Sequence, residues 1–301
     1  MAVESRRGGS SRARHERGRR AAGPWAATNA PVRLQRNLEP AAAAAHSRRV
    51  WFLIVANLAG KAAAILLAGT APAAALALWF VPDAVLAYHM FVPRAQGLVR
   101  VHRRFTTAQR EVWLTIDDGP DPDDTPHILE LLAARGARAT FFVIGEKAAA
   151  HPELIRAIAG AGHEVAHHTH THPLARFWCA SPAAVGRELD AGLEALRRAG
   201  VRPTRFRPPV GIKNLWLSSA LAARGLTCVG WSARGLERRP GDAEAVAART
   251  LRRLAPGAIL LLHEGPAVPG PIRVEAIRRV VERLHEQGYH CVVPRPEQLA
   301  G

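Results

Sequence analysis

The ionisable residues of this 301-residue chain cluster just after short apolar runs. Asp117 and Asp118 follow the run at 112–116, and His167, His168, His170 and His172 follow the run at 163–166. Arg207 comes directly after Phe206, Trp231 ends the run at 227–231, and His263 ends the run at 258–262. His168 and His172 stand four apart. On a helical turn that spacing brings two imidazoles to one side, which suits a divalent metal. Asp118 is the available carboxylate for a third ligand, with a fourth position left open for water. Adjacent residues at an extended strand end point in opposite directions. Asp117 and Asp118 therefore divide the work, one toward a metal and the other toward a reacting water. The same Asp-Asp-Gly-Pro string also reads as an N-cap and tight-turn cluster.

His263 closes a wholly apolar strand-like run. A histidine at such a mouth can titrate near neutrality and protonate a departing amine. Arg207 lies in Phe206-Arg207-Pro208-Pro209, where two prolines stiffen the loop. A stiff loop can hold a backbone N–H toward a developing oxyanion. Arg207 can pair with Asp117 and keep it ionised.

The elements that must position these residues begin at Glu111. Strand-like runs at 112–116, 139–144, 163–166, around Phe206, 227–231, 258–262 and 289–293 alternate with helical patterns at 126–135, 152–161, 182–199, 216–224, 243–254 and 272–287. Pro126 after Thr125 and Pro182 after Ser181 are start signals. Gly136, Gly162, Gly200, Gly225 and Gly288 close helices. Such alternation implies an α/β fold with a parallel sheet, and about seven strands imply a distorted (β/α) barrel. In a parallel barrel all strands end on one face, so the residues named above converge there.

The first 110 residues differ. Residues 1–49 carry 11 Arg against 3 Glu, about half of the chain's net charge of +16. This segment reads as a disordered basic tail. Residues 50–93 contain only two formal charges, Lys61 and Asp83. They are long enough to cross a hydrocarbon layer of roughly 30 Å twice, with the turn at 69–72. Trp51, Trp79 and Tyr88 fall near the expected interfaces. The chain after Pro93 is basic again, which favours a hairpin with both ends inside; a single span would place the C-terminal part outside. A cleavable signal peptide fits poorly, since the basic leader is long and no clear cleavage site follows. The domain reading is thus a basic tail at 1–49, transmembrane segments at 50–93, a linker at 94–110 and a catalytic domain at 111–301, anchored to a membrane, the bacterial inner membrane by this pattern. Membrane lipid is an expected partner and nucleic acid is not, because the basic residues form no aromatic-interleaved or helix-turn-helix pattern. Cys179, Cys228 and Cys291 form no paired spacing, against a disulfide framework or a cysteine-built zinc site.

Five strings resemble the motifs of the polysaccharide deacetylase family, the group with the NodB homology domain. Leu114-Thr115-Ile116-Asp117-Asp118-Gly119-Pro120 is similar to the first and the stretch from Gly162 to Pro173 to the second. Phe206-Arg207-Pro208-Pro209-Val210-Gly211 is similar to the third, Trp231 to the fourth, and Leu260-Leu261-Leu262-His263 to the fifth. The resemblance spans residues 111–296. It implies a divalent metal, most often zinc, held by Asp118, His168 and His172. It implies Asp117 as general base, Arg207 as its orienting partner, His263 as general acid and a backbone amide near Val210 as oxyanion donor. Pro209, Val210, Trp231 and Leu261 are the implied substrate contacts.

Two positions depart from the family pattern. Val210 stands where an aromatic residue is usual. Gly230 stands where an aspartate often supports the acid histidine, which hands that support to Ser232, Glu237 or Glu264. The implied activity is removal of N-acetyl groups from an amino-sugar polysaccharide, oligosaccharide or glycolipid. The alternatives are a deformylase or amidase on another linear amide of a lipid-linked sugar, and a glycan-binding barrel without catalysis.

Overall fold

A computed structural model describes residues 39–299; of the disordered basic tail expected at 1–49, residues 1–38 lie outside them, while 39–49 belong to the first helix. The described chain opens with two helices, α1 (Glu39–Leu67) and α2 (Pro72–Phe91). They pack side by side as a hairpin, with the turn where the sequence places it. Asp83 on α2 accepts hydrogen bonds from Asn57 at 2.6 Å and Lys61 at 2.7 Å on α1. Gly60 lets the helices approach, since a Cβ there would lie 2.9 Å from the Leu78 carbonyl oxygen. Stretches 48–67 and 72–91 are long and apolar enough to cross a membrane. Among the described residues, all but three of the exposed large hydrophobic side chains lie on these two helices.

The rest is a curled, parallel α/β half-barrel. Its elements are β1 (Glu111–Gly119), α3 (Asp124–Ala134), β2 (Ala139–Val143), α4 (Gly145–Ala150), α5 (Pro152–Gly160), β3 (Glu164–His167), α6 (Pro182–Arg198), β4 (Arg205–Phe206), α7 (Leu217–Ala222), β5 (Thr227–Cys228), β6 (Ala233–Arg234), α8 (Ala243–Leu251), β7 (Ala258–His263), α9 (Arg273–Glu286) and β8 (His290–Cys291). The strand order is β5-β4-β3-β2-β1-β7-β6, with β8 paired to the start of β1. Each of the seven expected strand runs contains a strand. The short β6 and α4 are additions, because elements of two and six residues are too brief to show a period in sequence.

Strand alternation sorts the side chains onto two faces. Val112, Leu114, Ile116, Phe141, Val143, Leu260 and Leu262 pack outward beneath the helices. Trp113, Phe142, Ala166 and Ile259 fill the barrel interior. Parity then fixes the site: Asp117 continues the interior series from Trp113, and His263 continues it from Ile259. Asp117 and His263 are Cα partners in the β1–β7 register. The same rule sends His167 outward, where its Nε2 lies 3.0 Å from the Leu189 carbonyl oxygen on α6, and leaves His168 for the interior.

Residues 95–105 complete the barrel wall. Leu98, Val99, Val101 and Phe105 are buried, and His102 bridges Val229 in parallel between β5 and β7. Gly230 is the residue that admits them: a Cβ there would lie 2.7 Å from a Val101 methyl. The open end of the hairpin packs on the barrel through Val50, Met90, Leu98 and Leu215.

Candidate active site

Asp118, His168 and His172 converge at the C-terminal strand ends. One ligand atom from each lies within 4.8 Å of the others. Asp118 Oδ1 is 3.5 Å from His168 Nε2 and 3.3 Å from His172 Nε2. That oxygen is buried and has no hydrogen-bond partner. An orphaned buried carboxylate oxygen facing two imidazole nitrogens is costly unless a cation joins them. Two ligands at roughly 2.0–2.1 Å from a tetrahedral zinc are about 3.3 Å apart, so the spacing fits. His168 Nδ1 lies 2.7 Å from the Arg207 carbonyl oxygen, which fixes Nδ1 as the donor and leaves the Nε2 lone pair toward the cluster. Burial, reinforced by His168, holds the His172 pKa down at about 4, so the ring is neutral and able to ligate at physiological pH. Burial pushes Asp118 upward, but His168, His263 and His172 outweigh it and leave the carboxyl below its ordinary range.

Asp117 sits beside this triplet, with Oδ2 3.8 Å from His168 Nε2. Its Oδ1 accepts a 2.6 Å bond from the Arg207 guanidinium. Arg207 is wholly buried, and each guanidinium nitrogen is used: it donates also to Thr115 Oγ1 at 2.9 Å, the Val229 carbonyl at 3.2 Å and the Gly230 carbonyl at 2.8 Å, and stacks 4.0 Å over Phe142. A buried pair needs such saturation to offset its desolvation.

His263 faces the triplet from β7. Its Nδ1 lies 3.1 Å from Glu237 Oε1, and its backbone N–H donates to the same oxygen. Burial alone would lower the His263 pKa; Glu237, with Asp117 and Asp118 behind it, raises it to about 9. Of the three groups the sequence offers as partner to this histidine, Glu237 is the one in contact. Ser232 bonds the Ile259 backbone, and Glu264 lies behind the site on Thr125 at 2.5 Å.

These residues line one cavity of about 190 Å³. Val210, Trp231 and Leu261 are in its wall, as expected. Pro209 is not; it is buried inside the loop. The cavity also takes Leu174, Arg234, Leu236, Arg238 and Arg239, residues without a motif to mark them. Backbone strain marks the same place. The described non-glycine residues with positive φ are Asp118 (73°), Thr169 (63°), His172 (55°), Val210 (47°) and Leu236 (57°). Four line the cavity and Thr169 lies between His168 and His172. Strained conformations gather where a site over-determines them.

The Polysaccharide deacetylase family model matches residues 104–229. The chitooligosaccharide deacetylase of Bradyrhizobium sp. (strain ANU 289) is 37% identical over 69% of this chain and 98% of its own length. A peptidoglycan-N-acetylglucosamine deacetylase of Bacillus cereus is 32% identical, over 60% of this chain and 66% of that protein. Among solved structures, the family 4 carbohydrate esterase from Streptomyces lividans in complex with acetate superposes with a TM-score of 0.56 at 34% identity, covering 62% of this chain and 94% of that one. With the five motif strings on one face of the barrel and a full-length relative at this identity, the chain belongs to the polysaccharide deacetylase family, hydrolases of the carbon–nitrogen bond in linear amides.

Proposed function

We propose that the protein removes the N-acetyl group from an N-acetylglucosamine-type residue of a glycan or glycolipid. The observation that carries this reading is the placement of base, ligand triplet and acid around one cavity. Asp117 accepts from the Arg207 guanidinium, Asp118, His168 and His172 face each other, and His263 is held protonated by Glu237.

The donor set, two imidazoles and one carboxylate, is that of a catalytic zinc site. Zinc held by Asp118, His168 and His172 would polarise the acyl carbonyl and acidify water. The chain's own residues do the rest. Asp117, oriented by its hydrogen bond from Arg207, takes the proton from the attacking water. The backbone amide of Val210, fixed by the strained turn at Pro209–Gly211, donates to the oxyanion. His263 gives its proton to the sugar nitrogen as the C–N bond breaks. A C–O bond replaces it, and acetate and the free amine leave. Val210, Trp231 and Leu261 contact the substrate.

Residues 50–93 act as a membrane anchor, and the catalytic domain, expected at 111–301, takes in residues 95–105 as well, since these form part of its wall. Support comes from the length and exposed apolar surface of the hairpin. Both flanks are basic, the pattern of a hairpin whose two ends share the cytoplasmic face of an inner membrane.

The test is acyl release by the full chain from N-acetylglucosamine oligomers and an N-acetylglucosaminyl lipid, each also in N-formyl form. Release of acetate from the N-acetyl compounds supports the reading. Release of formate alone would favour a deformylase, and release from none would leave a glycan-binding barrel.

A further inference from the structure

Several arginines on the outside of this barrel meet carboxylates. Arg197 and Arg198 meet Glu194, Arg278 and Arg279 meet Glu275, and Arg224 meets Asp190. One group without such partners converges on a single concave site. Arg94, Arg103, Arg234, Arg249, Arg252 and Arg253 line a single cavity of about 270 Å³ that has no acidic residue in its wall. Among the described residues none of the six has a carboxylate partner. One guanidinium nitrogen of Arg249 is buried without an acceptor. Burial, with the neighbouring charges of Arg94 and Arg104, pulls the Arg103 pKa down. Like charges converging on a concave surface raise its affinity for an anion. The planar fork of arginine matches phosphate in particular.

The position of this cavity narrows the choice of anion. Trp231, Arg234 and Leu236 line both it and the active-site cavity, so the two are adjacent chambers. Pro93 and Arg94, in its wall, come just after the last residue of α2. Among the described residues, the three exposed large hydrophobic residues outside the hairpin are Leu174, Trp178 and Val210. Leu174 and Val210 rim the active site, and the Trp178 ring packs 5.7 Å from that of Phe91, at the end of α2. The foot of the hairpin, the apolar rim and the arginine chamber thus adjoin one another. With the hairpin in a bilayer, all three lie at headgroup depth.

We infer that the arginine chamber binds the phosphate or pyrophosphate of a membrane-resident lipid-linked amino sugar, whose acylated nitrogen reaches the cluster of Asp118, His168 and His172. The inference rests on the deacetylase reading for what happens to the sugar. The phosphate site itself stands on the arginines.

The test uses the full chain in neutral detergent micelles, carrying Asp117→Asn so that ligand is not consumed. Three probes are compared by calorimetry: N-acetylglucosaminyl phosphate on a short prenyl chain, the same sugar on the same chain without phosphate, and N-acetylglucosamine 1-phosphate without lipid. The lipid phosphate is expected to bind at least tenfold more tightly than either of the others. Arg252→Gln with Arg253→Gln is expected to remove most of that margin. Both side chains are exposed, so the fold should hold; Arg94→Glu, also exposed, gives a second reading from another part of the wall. Equal binding with and without phosphate overturns the inference, as does a margin that survives both variants. A soluble sugar phosphate binding as tightly as the lipid form overturns the lipid source. If the lipid phosphate binds with the expected margin while the unmodified chain releases no acyl group from it, the phosphate site stands and the deacetylase reading falls.

Discussion

Glu237 Oε1 meets both nitrogens that His263 offers it, the ring Nδ1 at 3.1 Å and the backbone N–H at 3.1 Å. The carboxylate thereby fixes the orientation of the ring and favours its charged form. Replacing it by glutamine keeps the shape and removes the charge. In the native site His263 is raised to about 9, so the competent acid persists until pH rises through that value. In Glu237→Gln burial prevails and the alkaline limb of the pH–rate profile should move down by at least one unit. At pH 8 kcat should fall at least about twofold, and more the further the limb moves. The pair also contributes stability that is full below the ordinary histidine value of 6.5 and is lost as pH rises through about 9. An unmoved alkaline limb would show that Glu237 does not tune the acid.

Arg207 is buried with its charge matched only by Asp117. Arg207→Met leaves that carboxylate without its partner, a loss of about 3–5 kcal/mol for a broken buried pair. The thermal midpoint of the full chain should fall by on the order of 10 °C. A midpoint within a degree or two of native would mean that the pair adds nothing to the fold.

The low pKa of His172, about 4, has a consequence for metal affinity. A histidine with an ordinary pKa begins to lose metal to protons near pH 6.5. Here the part of zinc binding that depends on His172, read as the margin over His172→Ala, should persist at pH 5.5 and be lost as pH falls toward 4. Equilibrium dialysis across that range, with His172→Ala as the weakened reference, would show it. Release already complete at pH 6 would contradict the ligand assignment.

Val210 adopts φ 47°, ψ 17°, and its side chain is 51% exposed. A β-branched residue in that region is strained by about 1–3 kcal/mol, and little packing is lost by removing an exposed side chain. Val210→Gly should therefore raise the thermal midpoint, while KM for a glycan substrate rises because a wall of the cavity is gone. A lowered midpoint would mean that the side chain contributes more packing than its exposure implies.

Much of this site was legible in the sequence because strand parity carries it. Once the apolar runs at 112–116 and 258–262 are parallel neighbours, Asp117 and His263 must share the interior face. The H-x-x-x-H spacing picks out the two histidines that face Asp118, although they meet through a strained loop at Thr169 and His172 rather than on a helical turn. Glu237 was harder to single out. It sits 26 residues before His263, on a loop whose course depends on Leu236 at φ 57°. Gly230 could not be understood alone either, since its reason is Val101, packed from a segment that reads as a linker. The arginine chamber had no signal: Arg94, Arg103, Arg234 and Arg249 are scattered through the chain and meet only after it folds.

The most direct test of the central claim is acetate release from N-acetylglucosamine oligomers by the full chain in detergent micelles. The hairpin is retained because the Met90 carbonyl at the end of α2 accepts from the Lys213 amide, close to the loop that carries Val210. Three conditions are compared: zinc, chelator, and zinc with Asp117→Asn. Release with zinc that falls at least a hundredfold in each of the other two is the predicted result. Release that persists through chelation, or is untouched by Asp117→Asn, would contradict the account.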